Sequence, residues 1–387
     1  MTQATRQRRA VIAVTGSAGK TTTKEMIAAV LKRRWKIFKS PDNLNAPSVT
    51  KRHARQLRSS HLAAVLEFGM QFHGNIKKHC LYLQPSIGVI TNVGRAHVGN
   101  FGGSIKGVAM AKSELIRYMK PTGMIVLNAD DAHSELLQTK GFKGKIIKVG
   151  IRKDADYRAS DIRFVNNGMR FRARLGGTKH SFYIPAFGEH NIYNALFAIA
   201  VSHRLGFSPQ EMQQGLKSYI RPKSRLHVHH LGSSIKVIDD SYNANPDAAK
   251  AALDVLSVIG KQTNIAVLGS MFELGQYAAK GHQEVGRYAA GRRISRIYTL
   301  GGLARQIAIG ARKGGFPAAK LRSFEGKQQL QRELAKDMKP GTTVLLKGGN
   351  RLRMSTMVAY LKRNARMNRN AKFGIIYHMK TVRRSDG

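Results

Sequence analysis

The chain has 387 residues, 42% of them hydrophobic and 23% charged, enough to bury at least two cores of ordinary size. No apolar run is long enough for a membrane span, the basic start (Arg6, Arg8, Arg9) lacks a signal-peptide stretch, and the single Cys80 excludes an internal disulfide and a cysteine metal cluster, so a cytoplasmic protein is expected. The 66 Lys and Arg against 22 Asp and Glu leave a charge of +44, which suits anionic partners, but no zinc-finger spacing or RNA-recognition signature accompanies it and sequence-specific reading of nucleic acid is not expected.

The first segment alternates short apolar runs with amphipathic stretches: Val11 to Val14, a helix from Thr22 to Arg33, then Ala63 to Leu66, Ile87 to Ile90 and Met124 to Leu127. That rhythm predicts an α/β fold, a mostly parallel sheet with crossover helices. Met26, Ile27, Val30 and Leu31 give the first helix its apolar face. From about Asp156 to Pro185 strands alternate with turn signals at Asn166, Asn167 and Gly168 and at Gly176 and Gly177, which predicts a small antiparallel extension. A helix is expected from His190 to Leu205, then a hinge at Arg221, Pro222, Lys223 and Ser224.

Beyond the hinge a second alternation begins, with strands at Ile235 to Ile238, Ile265 to Leu268, Ile297 to Leu300 and Val344 to Leu346. Helices follow Pro246 and run around Gln283 to Ala290. This predicts a second, Rossmann-like α/β domain. His227, His229 and His230 fall on an expected strand, where an ordinary strand face outweighs a zinc pair. Phe373 to Tyr377 could add a short strand to an otherwise basic tail.

Between the first strand and the first helix lies Thr15-Gly16-Ser17-Ala18-Gly19-Lys20-Thr21-Thr22. Glycines let a backbone turn so that N–H groups and a helix N-terminus face phosphates, Lys20 adds a cation, and Thr21 can hold magnesium. Val14 stands where the usual pattern has its first glycine.

Ordered segments continue along the chain: NLNAP at 43–47, ITNVGRAHVGNFG at 90–102, AKSEL at 111–115, LNADD at 127–131, FGEHNIYNAL at 187–196, SRLHV at 224–228, IDDSYNANPDA at 238–248, VLGSMFELG at 267–275 and LLKGG at 345–349. With TGSAGKTTTKEM at 15–26, they resemble the Mur ligase family, and within it the branch that adds D-alanyl-D-alanine. The resemblance spans Val11 to Leu361. It implies a P-loop ATP-binding domain over 1–220 and a C-terminal Rossmann-like domain over 221–365, with a basic tail at 366–387.

Members of that family use ATP to phosphorylate a carboxylate and let an amine, here an amino acid or dipeptide, displace phosphate from the acyl phosphate, releasing ADP. The setting is peptidoglycan precursor synthesis. Cations must neutralise charge on the transferred phosphoryl group, and the family uses two Mg2+. Position by position, the resemblance assigns Gly16, Ser17, Ala18, Gly19, Lys20, Thr21 and Thr22 to the phosphates. It assigns Thr21, Glu67, His97 and a carbamylated Lys112 to the metals. Asn191 and Asn194 fall near adenine, Arg225 at the γ-phosphate on domain closure, and Asp240 at the ribose or phosphates, with Tyr242, Asn243 and Asn245 shaping its loop. Lys20, Lys112 and Arg225 form the expected catalytic set. Read without the resemblance, Glu67 is a solvated loop carboxylate, Lys112 a surface helix residue and Asn191 a helix cap.

Several positions depart from the pattern. The first strand opens close to the N-terminus, where the usual member has a domain for the UDP end of its substrate, so a partner protein supplying the acid, or a different acid such as an acidic polymer, stays open. Glu67-Phe68-Gly69-Met70 replaces Glu-Leu-Gly-Ala, Asn75, Ser270 and Ser355 stand at acidic positions, and Asn350 replaces an arginine. A folate-type ligase and a non-catalytic ATP or polyanion binder also remain as alternatives.

Overall fold

In a computed structural model, residues 9–165, 167–232 and 234–365 are described, so the basic tail and the strand expected at 373–377 lie outside them. The chain forms two compact units, one reaching Pro222 and including Glu273–Tyr277, the other comprising Lys223–Phe272 and the chain from Ala278.

The first unit is built on nine strands: β1 (Ala10–Thr15), β2 (Ile37–Lys39), β3 (Ala63–Glu67), β4 (Ile87–Ile90), β5 (Met124–Asn128), β6 (Lys145–Gly150), β7 (Tyr157–Val165), β8 (Gly168–Leu175) and β9 (Thr178–Ile184). Their order is β2-β3-β1-β4-β5-β6-β7-β8-β9, parallel up to the β6–β7 pair and antiparallel beyond it. The antiparallel extension expected from the turn signals is thus continuous with the parallel sheet. β3, β4 and β5 are buried at every position because helices cover both faces. β8 alternates buried and exposed residues, because one of its faces meets solvent.

Six helices complete the unit: α1 (Lys20–Leu31), α2 (Pro47–Gln56), α3 (Asn75–Tyr82), α4 (Ile105–Tyr118), α5 (Glu189–Arg204) and α6 (Pro209–Lys217). The expected apolar face of α1 is fully buried, packed in one cluster with Ile192, Leu196 and Ile199 of α5 and with the sheet. α1 begins two residues before the Thr22 start read from periodicity, because the chain turns into helix directly after a left-handed Gly19. α6 is opened by a capping box in which Ser208 and Glu211 satisfy each other's backbone N–H groups.

The second unit holds β10 (His227–Gly232), β11 (Ile235–Asp240), α7 (Pro246–Ile259), β12 (Thr263–Gly269), α8 (Ala278–Ala290), β13 (Arg296–Leu300), α9 (Arg305–Lys313), β14 (Leu321–Phe324), α10 (Lys327–Lys336) and β15 (Thr342–Lys347). Strand order is β10-β11-β15-β12-β13-β14, with only β10 antiparallel. Asn245 caps α7 through its side chain, with Pro246 at the first helical position. Among the described residues, no helix is long and apolar enough to cross a membrane.

Candidate active site

In an open α/β sheet the chain leaves neighbouring strands in opposite directions at one point, and ligands gather in the crevice beyond the strand ends there. β1 is that strand, flanked by β3 and β4. The segment 16–19 follows its carboxyl end and delivers the N-terminus of α1, whose first N–H groups have no intrahelical partner. Gly19 has φ 81°, and a Cβ there would meet Asn194 Oδ1 at 2.5 Å, so both conformation and space require glycine. Asn92 braces the loop, its side-chain oxygen accepting from the N–H groups of Ser17 and Ala18, each at 2.9 Å. Ser17 Oγ donates to Gly94 O at 2.9 Å. The ammonium of Lys20 donates to Gly16 O at 2.8 Å, which holds the cation over the loop. Thr21 is buried and Thr22 half-buried.

Glu67 ends β3 in register with Val14 of β1, one step before the loop region. Its carboxylate is buried, not solvated: Oε1 accepts from Asn45 Nδ2 at 2.7 Å, while Oε2 has no hydrogen-bond partner. A buried, half-satisfied carboxylate is costly unless something cationic completes it. Its neighbours are clasped from behind. Gly69 N donates to Asn45 O at 3.0 Å, and the inaccessible His79 lies between Gly69 O (3.0 Å from Nε2) and the Thr50 hydroxyl (2.7 Å from Nδ1). Burial lowers the His79 pKa to about 4. Lys24, also inaccessible, donates to Ser40 O at 2.8 Å and to Asp42 O, and lies 3.1 Å from Glu25 Oε1.

Lys112 does not lie on a helix surface. It is 1% exposed, and burial pushes its pKa well below the ordinary lysine value, with the nearby Lys20 cation pushing the same way and Asp131 opposing. Asp131 accepts from Val93 N at 2.9 Å and Ser134 Oγ at 2.7 Å, which ties the 128–131 turn to the segment carrying His97. His97 itself has φ 62°, and its Nδ1 stands 2.6 Å from a Glu273 carboxylate oxygen within the same unit. Among the described residues, no three His, Cys, Asp or Glu side chains converge as a metal cage. Magnesium needs no such cage, since hydroxyls, one or two carboxylates, substrate phosphates and water suffice. The unpartnered Glu67 oxygen beside the loop fits such an ion.

The α5 amides point inward. Asn191 Nδ2 donates to Phe187 O at 2.7 Å, Asn194 Nδ2 donates to Asn191 Oδ1 at 2.9 Å, and Asn194 Oδ1 accepts from Thr23 Oγ1 at 3.0 Å. Asn191 is not a cap, because α5 starts at Glu189 after Gly188.

In the second unit, Asp240 ends β11 in register with Lys347 at the end of β15. Their charges pair at 2.6 Å in a buried position, and Lys347 also donates to Asn243 O at 2.8 Å. Asp240 accepts from Leu226 N at 3.2 Å, and Arg225 lies 4.3 Å from the Tyr242 ring. His227 and His229 stack at 6.3 Å on β10, the ordinary strand face expected of them. Asn92, Asn45, His79, Asp131 and Lys347 brace these groups without carrying a signal of their own in the sequence. All except His79 lie inside the quoted motifs, which was the available signal.

Residues 14–202 match the family described as Mur ligase middle domain, and residues 224–350 match the Mur ligase, glutamate ligase domain. The UDP-N-acetylmuramoyl-tripeptide--D-alanyl-D-alanine ligase of Bacillus subtilis (strain 168) is 32% identical over 90% of this chain and 75% of its own length. The enzyme of that name from Synechocystis is 32% identical over 91% of this chain and 74% of its own. Among solved structures, MurF from Acinetobacter baumannii superposes with a TM-score of 0.84 at 30% identity, covering 92% of this chain and 78% of that one.

Proposed function

Because the chain belongs to the Mur ligase family of ATP-dependent ligases, we propose that it joins the terminal carboxylate of a UDP-muramyl tripeptide to the amine of D-alanyl-D-alanine, the substrates its relatives are named for. A carboxylate oxygen attacks the γ-phosphorus of ATP and ADP leaves. The amine then attacks the acyl carbon, phosphate departs carrying that oxygen, and the amine loses a proton.

The single observation that carries this reading is the buried Glu67 oxygen without a partner, set beside a phosphate-binding loop at the switch point of the sheet. Thr21 and Glu67 would hold one magnesium, and His97 with a carbamylated Lys112 the second. Such ions would offset charge on the transferred phosphoryl group. Lys112 suits carbamylation, since a lysine must shed its proton to capture carbon dioxide, and burial beside Lys20 favours the neutral amine. Lys20 would neutralise the β- and γ-phosphates. Asn191 and Asn194 would lie near the adenine, as the resemblance implies, and their hydrogen bonds also tie α5 to Thr23 of α1. For Arg225 and Asp240 the roles at the γ-phosphate and at the ribose or phosphates are those the resemblance implies, and within their own unit Lys347 fixes the Asp240 carboxylate.

The test is ADP release with UDP-muramyl tripeptide and D-alanyl-D-alanine, run beside poly-glutamate with glutamate. Stimulation by the first pair, with carboxylate oxygen-18 appearing in phosphate, is the expected result. Stimulation only by the second pair would refute the substrate assignment, and unlabelled phosphate or release of AMP would refute the acyl phosphate.

A further inference from the structure

The antiparallel extension carries a feature that ligase chemistry does not use. β8 turns Phe171, Ala173 and Leu175 into the core, which leaves Arg170, Arg172 and Arg174 on the solvent face. The register sets Arg163 of β7 directly opposite Arg170, and Lys179 of β9 directly opposite Arg174. Like charges facing each other across a ladder destabilise a sheet, so two such pairs on one small face are a cost that folding alone does not explain. The acid on this face is Asp161, 3.6 Å from Arg172. No ion pair reaches Arg163, Arg170, Arg174 or Lys179 among the described residues.

The rest of the face is hydroxyl-rich. Ser160 and Ser181 flank Arg172, and Tyr183 stands opposite Arg170. A Cβ on Gly168 would meet Tyr183 Oη at 2.7 Å, so glycine lets the ring lie over the neighbouring strand. The outward positions of β8 and β9 hold no exposed Leu, Ile or Phe that would wedge into a bilayer, and the exposed Phe164 of β7 pairs with the inward Met169 rather than with the arginine row; membrane-surface elements pair their cations with apolar groups on the same face. Four arginines to one lysine favours bidentate capture of phosphate. Cations recurring every second residue, about 7 Å apart along a strand, beside an aromatic ring, match an extended phosphodiester chain with stackable bases.

We propose that the outer face of β7–β9 docks single-stranded nucleic acid through its backbone, independent of base sequence. The occupant is a single strand of RNA or DNA laid across β8, with Arg163, Arg170, Arg174 and Lys179 on phosphates. This site is separate from the ligase centre and does not depend on the substrate assignment above.

The experiment measures anisotropy of a labelled oligouridylate of roughly 20 nucleotides with the full chain, between about 50 and 200 mM salt. Wild type is compared with R163Q/R170Q/R174Q/K179Q and with K51Q/R52Q/R55Q/R58Q, which removes the same charge from exposed positions on and just after α2. Basal ADP release and thermal melting check that both variants fold. The sheet variant is expected to lose at least tenfold in affinity at low salt, and its log–log salt slope should become shallower by about 3, four phosphates at roughly 0.7 each. The α2 variant should keep most of the slope. Equal losses in both variants would show a response to total charge alone and overturn the proposal. So would no binding by wild type, or sheet-dependent binding to phosphatidylserine vesicles without binding to RNA.

Discussion

Acidification should weaken the first unit through His79, and the structure sets the size of the effect. The ring is inaccessible and its pKa falls from 6.5 to about 4, chiefly because burial penalises the charged form, with hydrogen bonds to the backbone of Gly69 and Asn45 acting against it. A base with a depressed folded pKa binds protons better when unfolded, so its stability is full above pH 6.5 and is lost as pH falls toward 4. The whole gap is worth roughly 3 kcal/mol, of which about 2 kcal/mol falls between pH 7.5 and 5. The lone tryptophan, Trp35, packs edge-on against Phe207 at 5.0 Å in the same unit, so its fluorescence follows unfolding of that unit. Urea titrations of wild type and His79→Gln should show the variant less stable at pH 7.5 by about 1–3 kcal/mol from lost packing and hydrogen bonds. The gap should narrow by about 2 kcal/mol at pH 5, because other acid-sensitive groups act equally on both proteins. Parallel stability–pH curves would refute the reasoning. Since the His79 clasp holds Asn45 and Gly69 around Glu67, the variant should also need more magnesium for half-maximal ADP release, with a smaller change in kcat.

Lys112→Ala should cut ADP release by at least about 100-fold, with partial recovery on adding a small carboxylate such as formate; no recovery at any concentration would remove the carbamate assignment. Lys347→Met should destabilise the second unit by about 3–5 kcal/mol in chemical denaturation, because it strands the buried Asp240 charge. The double variant Lys347→Met/Asp240→Leu should cost clearly less, and equal costs would contradict the pairing. Arg174→Gln relieves the opposition to Lys179 and should raise stability by about 0.2–1 kcal/mol, read as a small rise in Tm; a fall would show that the pair is not repulsive in the folded chain.

What the sequence disclosed follows from where local signals are strong. β4 begins and ends where its apolar run does, and the turns at Gly168 and at Gly176–Gly177 bound β8, because a buried parallel strand and a glycine turn write themselves locally. β2 escaped notice because three residues, Ile37–Lys39, carry no period. β6 escaped because Lys145, Ile146 and Lys148 are exposed and break the apolar run. α6 does carry a local signal, the Ser208–Glu211 capping box at its start. For the candidate site, motif context singles out the loop and Glu67, but the burial of Glu67 is not legible: a carboxylate at a strand end is normally solvated, and only the folded Asn45 and Ser40 neighbours close over it. The inward turn of Asn191 and Asn194 depends on α5 meeting α1 across 171 residues of sequence, which no local pattern encodes.

The buried lysines show how one chemistry divides into two roles. A chain with 66 Lys and Arg has ample surface for them, yet Lys24, Lys112 and Lys347 are each 2% exposed or less. Taking an ammonium out of water costs several kcal/mol unless partners replace the lost hydration. Lys24 donates to two carbonyls and lies beside Glu25, and Lys347 pairs with Asp240 and donates to a carbonyl, so each is tied as a strut beneath the loop it holds. Burial lowers the Lys347 pKa too, but against a carboxylate 2.6 Å away, whereas among the described residues Lys112 has no ion pair. Its surroundings include the Lys20 cation, and burial and that neighbour together favour the neutral amine, with only Asp131 opposing. A strut would be selected for a full set of acceptors, whereas a residue that must lose its proton and then carry a negative charge beside metal and phosphate is best placed where the ammonium is unwelcome. Of the three, Lys112 is therefore the one whose burial makes chemical rather than structural sense, and carbon-13 NMR under labelled bicarbonate should find a carbamate signal that disappears in Lys112→Ala while persisting when Lys24 or Lys347 is replaced by methionine.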